Sequence, residues 1–338
     1  MDDSAEMVDG LPSENRQCLH GATLLEQVEN AWRFTGGRHE ETLKRIAKMM
    51  ASELTVWLRW LNNLAAQKGV RLDVVLTDSP DYGARVKWIP SQYRYQIQIS
   101  LGTVPTLLYI APIVDLSLRG TTMFYGRIEE SVRSLKETGF PNASITSNGE
   151  NLVVGAVTMM FLHEVGHAFG GHLMWPDLRR DEISYRAAET DADWGAGRMF
   201  AIGLLEQRTA ANDIARRVVG SAAINHIALE ITLQQRRVPT TKYHLPQQRL
   251  IANIQGANSA WQTFGIKPDA FREAVGRCDM NLAWMYTMFA EQFRRKDDSE
   301  EWFYDEDVQA DRMAYDQITV PRILELRTAM FDSRIAPM

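Results

Sequence analysis

From Asn151 to Leu162 the chain is almost uninterrupted apolar sequence, and it runs straight into His163-Glu164-Val165-Gly166-His167. A helix that is apolar on every side has to be buried, so the fold must wrap around this segment. The run is too short, and too soon followed by His163 and Glu164, to read as a bilayer span. It therefore carries two imidazoles and a carboxylate into the interior, where polar groups need partners. Positions i and i+4 differ by about 40° around an α-helix axis, so His163 and His167 share a face, one turn apart. That is the ligand pair of an H-E-x-x-H zinc site lacking its third ligand, with Glu164 placed to take a proton from an attacking water. The competing reading is a core helix whose histidines make ordinary hydrogen bonds.

Downstream, Arg186 to Phe200 reads as a second helix, rich in alanine and polar on one side. Glu189 and Asp193 are again i and i+4. One carboxylate on that face can supply a third ligand, and another one turn away can accept the free N–H of a ligating histidine, fixing its tautomer. Pro176 and the charged run Asp177 to Glu182 suit a loop that folds the second helix back onto the first. The plainer reading of the helix is a solvated acidic face.

H-E-x-x-H followed about twenty residues later by E-x-x-A-D resembles the gluzincin metallopeptidases, and Glu189-Thr190-Asp191-Ala192-Asp193 looks like the E-x-[ED]-A-[DN] element of minigluzincins. That group includes HtpX-like membrane peptidases, ImmA/IrrE-type peptidases and Lit-type phage-exclusion peptidases. The short gap between the motifs is more similar to the ImmA and Lit types. The motif pair covers about a tenth of the chain. The resemblance implies one zinc ion per chain on His163, His167 and Glu189, with Glu164 as general base and Asp193 as an outer partner of a ligating histidine.

His172 is a competing third ligand, because metzincins place a histidine near this point. It comes one residue early, and on a continuing helix it would point about 140° away from His167. The pair Gly170-Gly171 could break the helix and bring it back; otherwise His172 lines the cleft rim or caps the helix. Attack on a carbonyl also creates an oxyanion that needs a donor. His226, Tyr243 and His244 are candidates, the last two in Tyr243-His244-Leu245-Pro246-Gln247-Gln248-Arg249, which is similar to a His-Pro…Arg element of HtpX-like peptidases. The alternative for that fragment is a turn before a helix.

The rest of the chain gives an α+β, mostly helical fold class. Residues 1–38 are expected to be partly disordered and carry no secretory-signal pattern. From His39 to Lys68 apolar residues recur at three and four, and Lys68-Gly69 ends the stripe as a C-terminal cap. Val70–Thr77, Ala84–Ile89 and Tyr93–Ser100 read as three short strands, a small antiparallel or mixed sheet packed on the H-E-x-x-H helix. Its edge strand could pair with an extended peptide. Leu101 to Leu118 is apolar, but Pro105, Pro112 and Asp115 favour buried helix and turn over a membrane span. Asp213 to Gln235 is strongly helical, so 39–235 is read as the zinc-peptidase core and 236–338 as a helical C-terminal region. Asp297 to Asp307 mixes acids with aromatics, a solvated helix start or a site for a basic partner.

A net charge of −6 leaves no basic footprint for nucleic acid. The two cysteines, Cys18 and Cys278, form neither a disulfide framework nor a metal-site spacing, so a cytoplasmic setting is the default. The expected function is a zinc-dependent endopeptidase acting on a protein or peptide substrate. The alternatives are a regulatory or interaction protein with structural zinc and a zinc amidohydrolase of non-peptide substrates. An intact Glu164 argues against a purely structural site.

Overall fold

The computed structural model describes residues 23–29, 40–119, 125–138, 144–175, 181–236, 243–276 and 304–332. After the short α1 (Leu24–Glu29), the periodic stripe forms α2 (Glu40–Ala66), with Leu43, Ile46, Met50, Leu54, Trp57 and Leu61 buried along one face. Gly69, with φ of +70°, stops it. Gly69 N and Val70 N donate to the carbonyls of Ala66 and Ala65, a Schellman closure that a side chain at Gly69 would strain.

The chain then changes to period two and forms β1 (Arg71–Thr77), β2 (Ala84–Ile89) and β3 (Arg94–Ser100). The order is β1-β3-β2, with β1 parallel and β2 antiparallel to β3, so the sheet is mixed. Leu72, Leu76, Ile97 and Ile99 turn one face into the core. Side-chain amides occupy the outer edge of β1. Asn62 Nδ2 donates to Leu72 O at 2.9 Å, Leu72 N donates to Asn62 Oδ1 at 2.8 Å, and Leu76 N donates to Gln27 Oε1 at 2.8 Å. Those bonds oppose strand addition on that side. The other edge strand, β2, lies against the H-E-x-x-H helix.

The remaining helices are α3 (Thr103–Leu118), α4 (Tyr125–Thr138), α5 (Ser147–Phe169), α6 (Glu182–Glu206), α7 (Ala211–Arg236), α8 (Pro246–Thr263), α9 (269–276), α10 (Tyr304–Ala314) and α11 (Val320–Asp332), the last two joined through π-helical Tyr315–Thr319. The architecture is α+β and mostly helical, with a helical C-terminal region, as the patterning predicts. The apolar stretch from Leu101 becomes α3, with Pro112 inside the helix. Thr146 caps α5, its Oγ1 accepting from Gly149 N at 3.1 Å. By length and composition α5 is long and apolar enough to cross a bilayer, but 83% of its apolar window is buried, against α2, α3, α6, α7 and β2.

A large apolar cluster runs from Leu24 to Ala274 and takes in Phe161, Phe200, Trp261 and Phe271. A smaller one, Trp175, Ala187, Ala188, Ile323 and Leu326, sits between α6 and α11. Of the sequence features named above, 1–22, 30–39, Pro176 to Arg180, Cys278 and 297–303 lie outside the described residues.

Two close helix crossings set the position of α6. At the first, a Cβ on Gly166 of α5 would lie 3.0 Å from Ala192 Cα of α6. At the second, a Cβ on Gly197 of α6 would lie 2.0 Å from Asn253 O, and one on Gly256 of α8 would lie 1.9 Å from Trp194 O. Backbone cannot yield to such a contact as a flexible side chain can, so Gly256→Ala is expected to destabilise the protein by about 3 kcal/mol or more. Urea denaturation of the variant checks this; a loss below about 1 kcal/mol would mean that the α6–α8 crossing is loose.

Candidate metal centre

The two crossings bring polar groups from α5, α6 and α8 to one buried point. His163 Nε2 and His167 Nε2 are 3.1 Å apart. Glu189 faces both, with Oε2 3.3 Å from His163 Nε2 and Oε1 3.4 Å from His167 Nε2. His163, His167 and Glu189 form a group that could hold a metal ion, their ligand atoms lying within 4.8 Å of one another. Each keeps 12–13% of its side chain exposed, so the group is not wholly sealed from solvent.

Each histidine is held from behind. His163 Nδ1 donates to Asp193 Oδ1 at 2.9 Å. Asp193 in turn accepts from Arg249 of α8, Nε to Oδ2 at 2.7 Å and Nη2 to Oδ1 at 3.0 Å. His167 Nδ1 lies 2.9 Å from His172 Nδ1, and His172 Nε2 lies 2.9 Å from Asp191 Oδ2. Glu164 is buried, with the backbone N–H of Val86 on β2 near its carboxylate.

The electrostatics follow from this packing. Burial by itself would lower the His163 pKa, but Asp193 and Glu189 outweigh it and raise the ring to about 10. Burial would raise Glu189, yet His167 and His163 hold its carboxyl well below the usual range. Asp193 is lowered in the same way, against burial, by Arg249 and His163. Glu164 goes the other way: burial raises it despite the nearby imidazoles. Burial also lowers His172 to about 4, against the pull of Asp191, which leaves that ring neutral near pH 7. Arg249 and the protonated His163 face the carboxylates of Glu189 and Asp193, with Glu164 nearby, and a divalent cation would take the place of the His163 proton in that balance. Such a cation would have to displace the proton that His163 otherwise retains.

His163, Glu164, His167, Glu189 and Asp193, picked from two sequence motifs, therefore meet. Tyr243 joins them: its ring lies under Arg249, 5.3 Å from Cζ, and its hydroxyl is 3.1 Å from that of Tyr185. Burial and the Glu189 charge raise Tyr243 to about 12, so it keeps its proton as a donor. Tyr185 hydrogen-bonds Glu189, whose charge raises it strongly.

The other candidates sit elsewhere. Gly171, with φ of +68°, does bring the chain back after α5, but it delivers His172 to the Nδ1 side of His167. The ring is fully buried there, neither at a cleft rim nor facing the Nε2 atoms. His226 lies deeper, its Nε2 accepting from Asn253 Nδ2 at 3.0 Å, and burial lowers it to about 3. His244 is engaged at both nitrogens, by Asp311 at 2.7 Å and Thr319 at 2.9 Å, and so holds the C-terminal helices in place.

Asp191 and Arg249 stand in the quoted motif fragments without an assigned role, and Tyr185 and Arg327 belong to no motif. Tyr185 stands one turn before Glu189, a spacing that was open to inspection. Arg249 belongs to the fragment after Tyr243, and only the α6–α8 crossing reveals its partner.

No protein-family model matches the chain, and neither the curated proteins nor the solved structures contain a significant match.

Proposed function

We propose that the chain is a zinc metallopeptidase of the gluzincin type, acting on a cytosolic protein. The observation that carries this reading is Glu164. It is a buried carboxylate beside the ligand group, not one of its members, and it faces the backbone of Val86 on β2. A site that served only to staple the fold would have no use for it. The three-residue donor set supports the same reading, since structural zinc sites have four protein ligands and catalytic ones keep a position free.

The donor set fits zinc. Zinc–ligand distances of about 2.0–2.1 Å at tetrahedral angles put ligand atoms roughly 3.3 Å apart. The two Nε2 atoms are 3.1 Å apart, and Glu189 places Oε2 3.3 Å from that of His163 and Oε1 3.4 Å from that of His167, a spacing compatible with the ion. Bound there, zinc would supply Lewis-acid polarisation of a carbonyl and lower the pKa of a water.

The chain's own residues do the rest. Asp193 keeps the His163 proton on Nδ1 and leaves Nε2 free to ligate. Glu164 takes the proton of the attacking water on its carboxylate and passes it to the leaving amine. Tyr243 would donate its phenolic O–H to the developing oxyanion by turning from Tyr185, whose own proton goes to Glu189. β2 orients the substrate. Ser100 N donates to Gly83 O, so the ladder bonds fall on the odd-numbered residues, and Ala84, Val86 and Trp88 turn their main-chain groups outward, on the side where Glu164 meets Val86. An extended peptide could pair along that edge at Ala84 and Trp88, the Val86 N–H lying by Glu164.

The test is proteomic. Zinc-loaded protein and its Glu164→Gln variant are each incubated with a cytosolic extract, and newly formed N-termini are labelled and identified. A small set of new termini made only by the parent is expected; identical termini in both samples would end the peptidase reading. For the donor, Tyr243→Phe is expected to lower kcat on the identified substrate by about 100-fold with zinc content unchanged. An unaltered kcat would move the role to another group.

A further inference from the structure

We propose that His172, Asp191 and Arg327 are positioning residues for His167, through which the C-terminal helix α11 completes the metal centre. The proposal rests on the reading that His163, His167 and Glu189 hold a metal ion.

The hydrogen-bond chain admits one consistent assignment of protons. A His167 that ligates through Nε2 carries its proton on Nδ1. The atom 2.9 Å away is His172 Nδ1, which must then be the acceptor. His172 is left with its proton on Nε2, and Asp191 Oδ2 stands 2.9 Å from it. Each choice forces the next, and the chain ends on a carboxylate that needs a cation.

That cation comes from the other end of the sequence. Arg327 grips Asp191 with both arms of its fork, Nε 3.2 Å from Oδ2 and Nη2 on Oδ1. The packing that places it is specific. Ala187 and Asp191 are one turn apart on α6, and Ile323 and Arg327 are one turn apart on α11. Ile323 and Leu326 pack on Ala187 and Ala188 with Trp175, whose ring lies 4.3 Å from that of His172. A second anchor, Arg322, donates to Ser184 Oγ from Nη2 at 2.8 Å and from Nε at 3.0 Å.

Each ligating histidine is thus backed by a buried carboxylate held by a guanidinium, His163 directly and His167 through His172. They differ in where the guanidinium comes from. Both carboxylates are buried, but Arg249 is 7% exposed and Arg327 is 46% exposed. The hold on His167 therefore runs through an accessible contact, so anything that lifts α11 loosens a metal ligand.

The experiment measures metal binding directly. Zinc affinity by chelator competition, and the visible absorption of the cobalt(II)-loaded protein, are compared for the full chain and for Arg327→Ala, Arg327→Lys and His172→Phe. Thermal unfolding of the metal-free proteins is recorded in parallel. Arg327→Ala and His172→Phe are expected to weaken zinc by about 10- to 100-fold and to shift the cobalt spectrum, and Arg327→Lys to recover part of both. Affinity within twofold of the parent in both variants would overturn the relay. So would weaker binding that tracks a lower Tm while the cobalt spectrum stays unchanged, since that is loss of fold support alone. A parent chain that binds neither metal would defeat the metal reading itself, a result distinct from either.

Discussion

Glu189→Ala is expected to abolish metal binding at the centre. Glu189 faces both Nε2 atoms, at 3.3 and 3.4 Å, from a different helix. Without it the two imidazoles of α5 remain as a bidentate pair, and the cation loses the charged member of its set. Loss of an outer partner of a ligand weakens binding by about 10- to 100-fold, so loss of a ligand should exceed that. Elemental analysis of protein purified without chelator is the measurement: one zinc per chain in the parent and none in the variant. Unchanged zinc in the variant would place the ion outside the His163–His167–Glu189 group. His172 could not then serve as the replacement ligand in this arrangement, because its ring lies on the Nδ1 side of His167.

Glu164→Gln is expected to separate binding from chemistry. Glutamine keeps the size of the side chain and can still accept the Val86 N–H, so the ligand group and its zinc content should be unaffected. What it lacks is a basic oxygen. General-base catalysis is worth about 100- to 10,000-fold, and turnover on the identified substrate should fall by at least that much. Zinc content near the parent value with cleavage lost is the expected pair of results. Retained turnover would remove Glu164 from the mechanism, and joint loss of zinc and cleavage would make it a structural support of the site.

Much of the fold was legible because its signals are local. The α2 stripe, the change to period two at Val70, the cap at Gly69 and the all-apolar run before His163 are each patterns within a few turns of chain. The ligand pair was legible for the same reason: i, i+4 spacing brings His163 and His167 together on any α-helix. The i, i+4 spacing of Glu189 and Asp193 made them candidates, and a resemblance between motifs assigned each its role. Their meeting depends on small residues, Gly166 and Ala192, at the crossing of α5 and α6.

Where the argument depended on distance between segments, sequence gave no purchase. His172, weighed as a ligand or rim residue, turned out to lie behind His167, because the direction taken after Gly171 is set by a positive φ and by the burial of Trp175. His244, weighed as an oxyanion donor, is held by Asp311 and Thr319 on a segment more than sixty residues away. Arg327 carried no motif at all. The sequence by itself determined the elements, the buried helix and the chemistry that helix can carry, since propensity, periodicity and i, i+4 spacing act over neighbouring residues. Only the tertiary structure decided which carboxylate faces the imidazoles, which guanidinium balances it and which histidine lies behind, because those choices come from helix crossings and close packing between segments far apart in the chain.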